Sequence, residues 1–178
     1  MKRFVVLAVA VSVCLLVTSM AWAEKTKEEL IADAESAAPA LITENAAITT
    51  LEGEVLREGS NGWTCHPGSM VIGPMCNQPQ WDALLSALMK KEPFDAEEFS
   101  VSYMLAGEGE AIGASNTDPF ATEPTDDNDW VKEGPHLMIT VPDPAILEGL
   151  STDPTDPVYV MWKVTPYAHI MVKIAPED

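Results

Sequence analysis

The sequence predicts an α+β domain with a mostly antiparallel sheet, two main helices and one disulfide. Three observations carry this. Strand-like and helical runs follow one another without the regular alternation that builds a parallel sheet. The segments "VYVMWK" and "AHIMVKI" are separated only by the turn "VTPY", so the chain closes on a hairpin. Apolar content of 47% suits a packed core rather than a disordered chain.

The elements follow in order. "MKRF" is a basic start, "VVLAVAVSVCLLV" is an apolar run too short for a comfortable membrane span, and "SMAWAEK" places Ala21 and Ala23 in an A-x-A arrangement. This pattern predicts an export signal over residues 1–23, and a periplasmic or secreted domain that does not span the membrane once the signal is cut. Cys14 lies inside the apolar run and does not fit a lipid-attachment site. Residues 24–45 read as an N-terminal helical segment. Within it "TKEELIADAESA" carries a capping box from Thr26 and Glu29 and stops before Pro39. The single α+β domain is expected over 46–178.

In that domain "AAITTLEGEVLREG" reads as a hairpin. "NQPQWDALLSALMKKEP" predicts the strongest helix. Asn77 is its expected cap, Pro79 sits in its first turn, and Trp81, Leu84, Leu85, Leu88 and Met89 form its apolar stripe. "FSVSYMLAG" and "HLMITVP" alternate as strands, and "DPAILEGL" predicts a short helix. Between the two strands lies a long segment, 107–134, rich in Gly, Pro, Asn and Asp. Phe120 and Trp130 are its expected anchors.

Cys65 and Cys76 remain after the signal, and an oxidising compartment predicts that they pair. The formal net charge is −18, and losing Lys2 and Arg3 with the signal takes it to −20. Such a surface repels nucleic acid and attracts a metal cation or a basic protein partner. No Walker, Rossmann or nucleophile-elbow glycine pattern occurs.

At "NGWTC", "SNTDPFATEPTDDNDWV", "EGPHLMITVPD" and "VMWKVTPYAHIMV" the chain resembles a family of uncharacterised secreted bacterial proteins, over about residues 46–174. The resemblance implies an exported domain and carries no activity, cofactor or substrate.

The candidate chemistry lies in a doubled His-x-Met: His136 and Met138 in "GPHLMIT", His169 and Met171 in "YAHIMVK". In a strand, residues two apart share a face. His136, Met138 and Thr140 therefore lie opposite Leu137, Ile139 and Val141, and His169, Met171 and Lys173 lie opposite Ile170, Val172 and Ile174. The aliphatic sets are expected to face the core, which leaves His and Met on the less buried side. If the strands pair in register, the histidines lie about 5 Å apart at Cβ. Imidazole and thioether together suit copper, above all Cu(I). A structural or surface role for the same face is the plain alternative. Two other constellations stay open. His66, His136 and His169 would converge in a zinc-dependent hydrolase. Segment 107–134 would present a protein-interaction surface, or hold calcium through Asn116, Asp118, Glu123, Asp126, Asp127, Asn128 and Asp129, although it lacks EF-hand spacing.

Overall fold

The computed structural model describes residues 25–175, and the predicted export signal lies outside them. Helix α1 spans Lys27–Glu35 and starts on the expected capping box. The Thr26 side chain accepts from the Glu29 backbone N–H at 3.2 Å, and the Glu29 carboxylate accepts from the Thr26 backbone N–H at 2.7 Å. A short helix, α2 (Ala40–Thr43), follows Pro39, and the long helix α3 spans Pro79–Lys90.

The strands are β1 (Ala47–Thr49), β2 (Val55–Arg57), β3 (Thr64–His66), β4 (Met75–Asn77), β5 (Ser100–Met104), β6 (Ala114–Ser115), β7 (Trp130–Val131), β8 (His136–Thr140), β9 (Val158–Met161) and β10 (His169–Lys173). Eight of them form one sheet in the order β2-β1-β3-β4-β5-β8-β10-β9. Every pairing is antiparallel except β1 with β3, so the fold is the predicted single α+β domain. The hairpins β1–β2 and β9–β10 are the two that the sequence predicts. "DPAILEGL" forms one 3-10 turn, Pro144–Leu147, capped by the Asp143 side chain.

The disulfide joins Cys65 to Cys76, which stand directly opposite each other on β3 and β4. Around it Ala34 of α1 and Ala37 of the turn that follows pack against Ile48, Leu56 and both cysteines. The second core lies under α3, where Trp81 and Leu84 meet Met75, Met104, Met138, Met161 and Met171.

Two expectations need correction. Asn77 does not cap α3. It is the last residue of β4, and its side chain accepts from Ser102 of β5 and donates to the Asp82 carboxylate of α3, while Gln78 takes the cap position without a side-chain capping bond. Pro79 at the first helical position needs no N–H partner, so the start is tolerated. The second correction concerns the buried face. His136 and His169 are each 1% exposed, and Met138 and Met171 are buried with them. The aliphatic set Leu137, Ile139, Ile170 and Val172 is only half-buried. The reason is tertiary. Trp81, Leu84, Leu85 and Leu88 of the α3 stripe seat on the His/Met side, with Met89 exposed, whereas the reverse side meets only a small cluster around Val141, Leu147 and Val160.

Candidate functional site

β8 and β10 are neighbours, and their two histidines share a face, as the alternation predicts. The register differs from the simple one. Met138 stands opposite Met171, and His136 stands opposite Lys173. The histidines therefore lie diagonally across the methionine pair, about 14 Å apart at Cα on strand geometry alone. They are not the directly opposed pair that the sequence reading anticipates. His136, Met138, His169 and Met171 nevertheless all line one cavity of about 250 Å³.

Each imidazole is fixed in the same way. His136 Nδ1 lies 2.7 Å from the Gly134 carbonyl oxygen, and His169 Nδ1 lies 2.9 Å from that of Tyr167, two residues back in each case. A carbonyl only accepts, so Nδ1 carries the proton and Nε2 keeps its lone pair. Both Nε2 atoms are buried and neither has a hydrogen-bond partner among the described residues. Nδ1 is held in each case to the residue two before the strand's first residue, and both rings line the cavity. Asn116 Oδ1 is likewise unpartnered but does not line this cavity. Burial pushes the His169 imidazole down to about 4, against the pull of the Tyr167 carbonyl, with His136 adding to the shift. Burial moves His136 in the same direction. Both rings are neutral at neutral pH.

The walls are apolar and soft. Five methionines, Met75, Met104, Met138, Met161 and Met171, line the cavity. Met75 Sδ lies 3.3 Å from the Asn77 amide nitrogen, which donates to it. His169 stands between two indoles, edge-on, with ring centres 5.0 Å from Trp81 and 5.1 Å from Trp162. Both indoles are pinned, as Trp81 Nε1 donates to the Ser100 carbonyl at 3.0 Å and Trp162 Nε1 to the Ser115 carbonyl at 2.7 Å. Trp162 holds a left-handed backbone (φ 56°), a conformation that a bulky residue adopts only when its surroundings enforce it. Enforcing it here sets the ring against His169.

Acidic groups lie on the His136 side. Glu133 accepts from the Tyr159 hydroxyl at 2.8 Å, and its other oxygen lies 3.1 Å from the Lys173 ammonium. Burial raises the Glu108 carboxyl above its usual range, although the Gly73 N–H donates to it at 3.1 Å.

The other constellations fare differently. His66 does not line the cavity. Its Nδ1 faces the Thr49 carbonyl at 2.7 Å and its Nε2 the Asp82 carboxylate at 3.0 Å. It stands opposite Met75 on the outer side of β4, roughly 14 Å across the strands from His136. The three histidines are not brought together. Among the described residues, no three His, Cys, Asp or Glu side chains gather around a common point. That includes the acids of 107–134. Their short-range bonds are turn bonds, such as Asp118 with the Phe120 N–H and Asn128 with the Thr125 N–H. The segment carries the small β6–β7 ladder. Ala114, Pro119, Thr122 and Trp130 of the segment close one wall of the cavity. Its predicted anchors are both engaged, Phe120 edge-on to Tyr167 and Trp130 through Nε1 to the Ile112 carbonyl.

The sequence reading missed Met104, Met161, Trp81 and Trp162 as site residues. The available signal was positional, since Met104 and Met161 end the strands that flank β8 and β10. No protein-family model, characterised protein or solved structure matches the chain.

Proposed function

We propose that the protein is an exported binding protein for a soft monovalent cation, Cu(I), held in the His/Met cavity under α3. The observation that carries the reading is the pair of buried imidazole Nε2 atoms with no partner, set among thioethers. Leaving a buried acceptor unsatisfied costs about 1–3 kcal/mol. A face that only packed would use leucine or isoleucine, and this chain places those residues on the half-buried reverse side of the same two strands. The unpartnered donor atoms in the cavity are neutral imidazole nitrogens set among thioethers and indole faces, whereas the lining carboxylates are engaged, Glu108 by the Gly73 N–H, Asp118 by the Phe120 N–H and Glu133 by Tyr159 and Lys173. A hard cation prefers oxygen, and zinc prefers thiolate or a larger imidazole set, whereas Cu(I) accepts imidazole and thioether. The indoles beside His169 offer a cation a favourable ring environment. The surplus of acid over base draws cations toward the surface.

The test is an anaerobic Cu(I) titration of protein purified without a His tag, against a chromogenic Cu(I) chelator. The native protein is expected to withdraw Cu(I) from the chelator, and the His136→Leu/His169→Leu double variant to leave it there. The reading fails if the two proteins behave alike, or if native mass spectrometry finds an organic molecule in the cavity in place of copper.

A further inference from the structure

The Cu(I) reading does not say how many ions the cavity takes, and the register bears on that number. β8 and β10 are antiparallel with Met138 opposite Met171. A local two-fold axis therefore passes between these two residues, perpendicular to the sheet. It carries each residue of β8 onto the residue of β10 with the same offset in sequence, so His136 maps onto His169. The relation continues outward. Met104 on β5 stands opposite His136, and Met161 on β9 stands opposite His169, so Met104 maps onto Met161. It also covers the second bond of each ring, because the Gly134 and Tyr167 carbonyls occupy equivalent positions two residues back. The result is two copies of one triplet. Met104, His136 and Met138 form the first, and Met161, His169 and Met171 form the second.

The diagonal register keeps the triplets apart. An imidazole-bound ion sits about 6 Å from the histidine Cα, from a metal–nitrogen bond of about 2 Å and the length of the side chain. The two Cα atoms are about 14 Å apart, so one ion does not reach both Nε2 atoms. Within a triplet the reach is short. The histidine has one methionine directly across on the neighbouring strand and another two residues along its own strand, both on the same face. Met75, the fifth thioether, belongs to neither triplet and is engaged by Asn77.

We infer that the cavity holds two Cu(I) ions in two three-coordinate His–Met–Met sites, one per triplet, an inference that rests on the Cu(I) reading. The halves are not identical. The His169 site is walled by Trp81 and Trp162, while His136 faces Lys173 across the strand pair and lies beside the Glu133–Lys173 ion pair. Trp81 and Trp162 stand against His169, whereas the third indole of the cavity, Trp130, lies near Glu133 and Lys173, so the ion at His169 is the one expected to quench Trp81 and Trp162.

The experiment counts Cu(I) equivalents in the same chelator competition while recording tryptophan emission, all in a Trp130→Phe background so that the cavity's remaining indoles are those beside His169. The native protein is expected to take two equivalents. Met104→Leu and His136→Leu are expected to lose one equivalent and keep the quenching. Met161→Leu and His169→Leu are expected to lose one equivalent together with the quenching. The leucine variants at methionine conserve size, and a thermal melt of each confirms that it is folded. A native stoichiometry of one, abolished equally by His136→Leu and His169→Leu, overturns the two-site inference while leaving the Cu(I) reading standing. No uptake at all by the native protein overturns both.

Discussion

All three histidines of the chain lie on one face of one sheet, and they meet different fates. At the β3–β4 end, His66 has an acceptor at each ring nitrogen. Its carboxylate partner, Asp82, also takes the Asn77 amide at 2.9 Å, and Asn77 in turn accepts from the Ser102 hydroxyl at 2.5 Å. At the β8–β10 end, His136 and His169 have one partner each and leave the other nitrogen bare in a buried cavity. The residue type is shared, and what differs is completeness of partnership. A closed polar network stabilises a fold. An open one costs stability, and the expense persists where a ligand completes it.

The largest expected effect sharpens the β8–β10 side. The folded His169 pKa of about 4 lies below the unfolded value near 6.5. Below pH 6.5 the unfolded chain takes up a proton that the folded chain refuses. The stability present above pH 6.5 is therefore lost as pH falls toward 4, by about 3 kcal/mol in the metal-free protein. Urea midpoints across that range measure it, and the difference from His169→Leu isolates the imidazole from the carboxylates. A metal-free native protein no more acid-sensitive than the variant would mean that His169 is not buried neutral.

The next effect belongs to the other end. Removing the disulfide by Cys65→Ala/Cys76→Ala is expected to lower stability by roughly 2–3 kcal/mol. Cu(I) uptake should be unchanged, since neither cysteine lines the cavity. Loss of uptake in a variant that still melts cooperatively would show the two ends to be coupled.

The direct comparison pairs two substitutions. His66→Leu strips the Thr49 carbonyl and the Asp82 carboxylate of a partner, and is expected to cost about 2 kcal/mol. His169→Leu removes an unsatisfied acceptor and supplies apolar volume, which offsets the loss of its single bond, to the Tyr167 carbonyl. At pH 7 it is expected to change stability by less than about 1 kcal/mol, or to raise it, while Cu(I) binding falls. Chemical denaturation of the two variants side by side decides the matter. Equal losses would erase the distinction drawn between the ends.

Part of this site could be read from the chain before any fold was known. Two matched alternating strands imply neighbours with a common core, and His136 and His169 do share a face. The buried face was misread because aliphatic side chains are the usual mark of a core, and here α3 selects the other side. Local sequence does not encode which face a helix 45 residues upstream will cover. The register was also hidden, because β8 pairs with β5 across a long connection whose path no spacing rule specifies. Met104 escaped notice for a related reason. Its face of β5 otherwise carries Ser100 and Ser102, a pattern that reads as solvent-facing, and yet all three are buried. Asn77 looks like a helix cap because it stands before Pro79, but it ends β4, and its amide bonds Ser102 and the Asp82 side chain rather than a helix backbone N–H.

The unequal connections of the two triplets have a kinetic consequence. Met161 and His169 are joined through residues 162–168, whereas Met104 and His136 are joined through residues 105–135. Closing the longer loop costs about 1 kcal/mol more in chain entropy than closing the shorter one. Local pairings form early and distant ones late. The β9–β10 half therefore assembles first on the folding route, and for that interval the nascent domain carries one finished triplet and one that is still open.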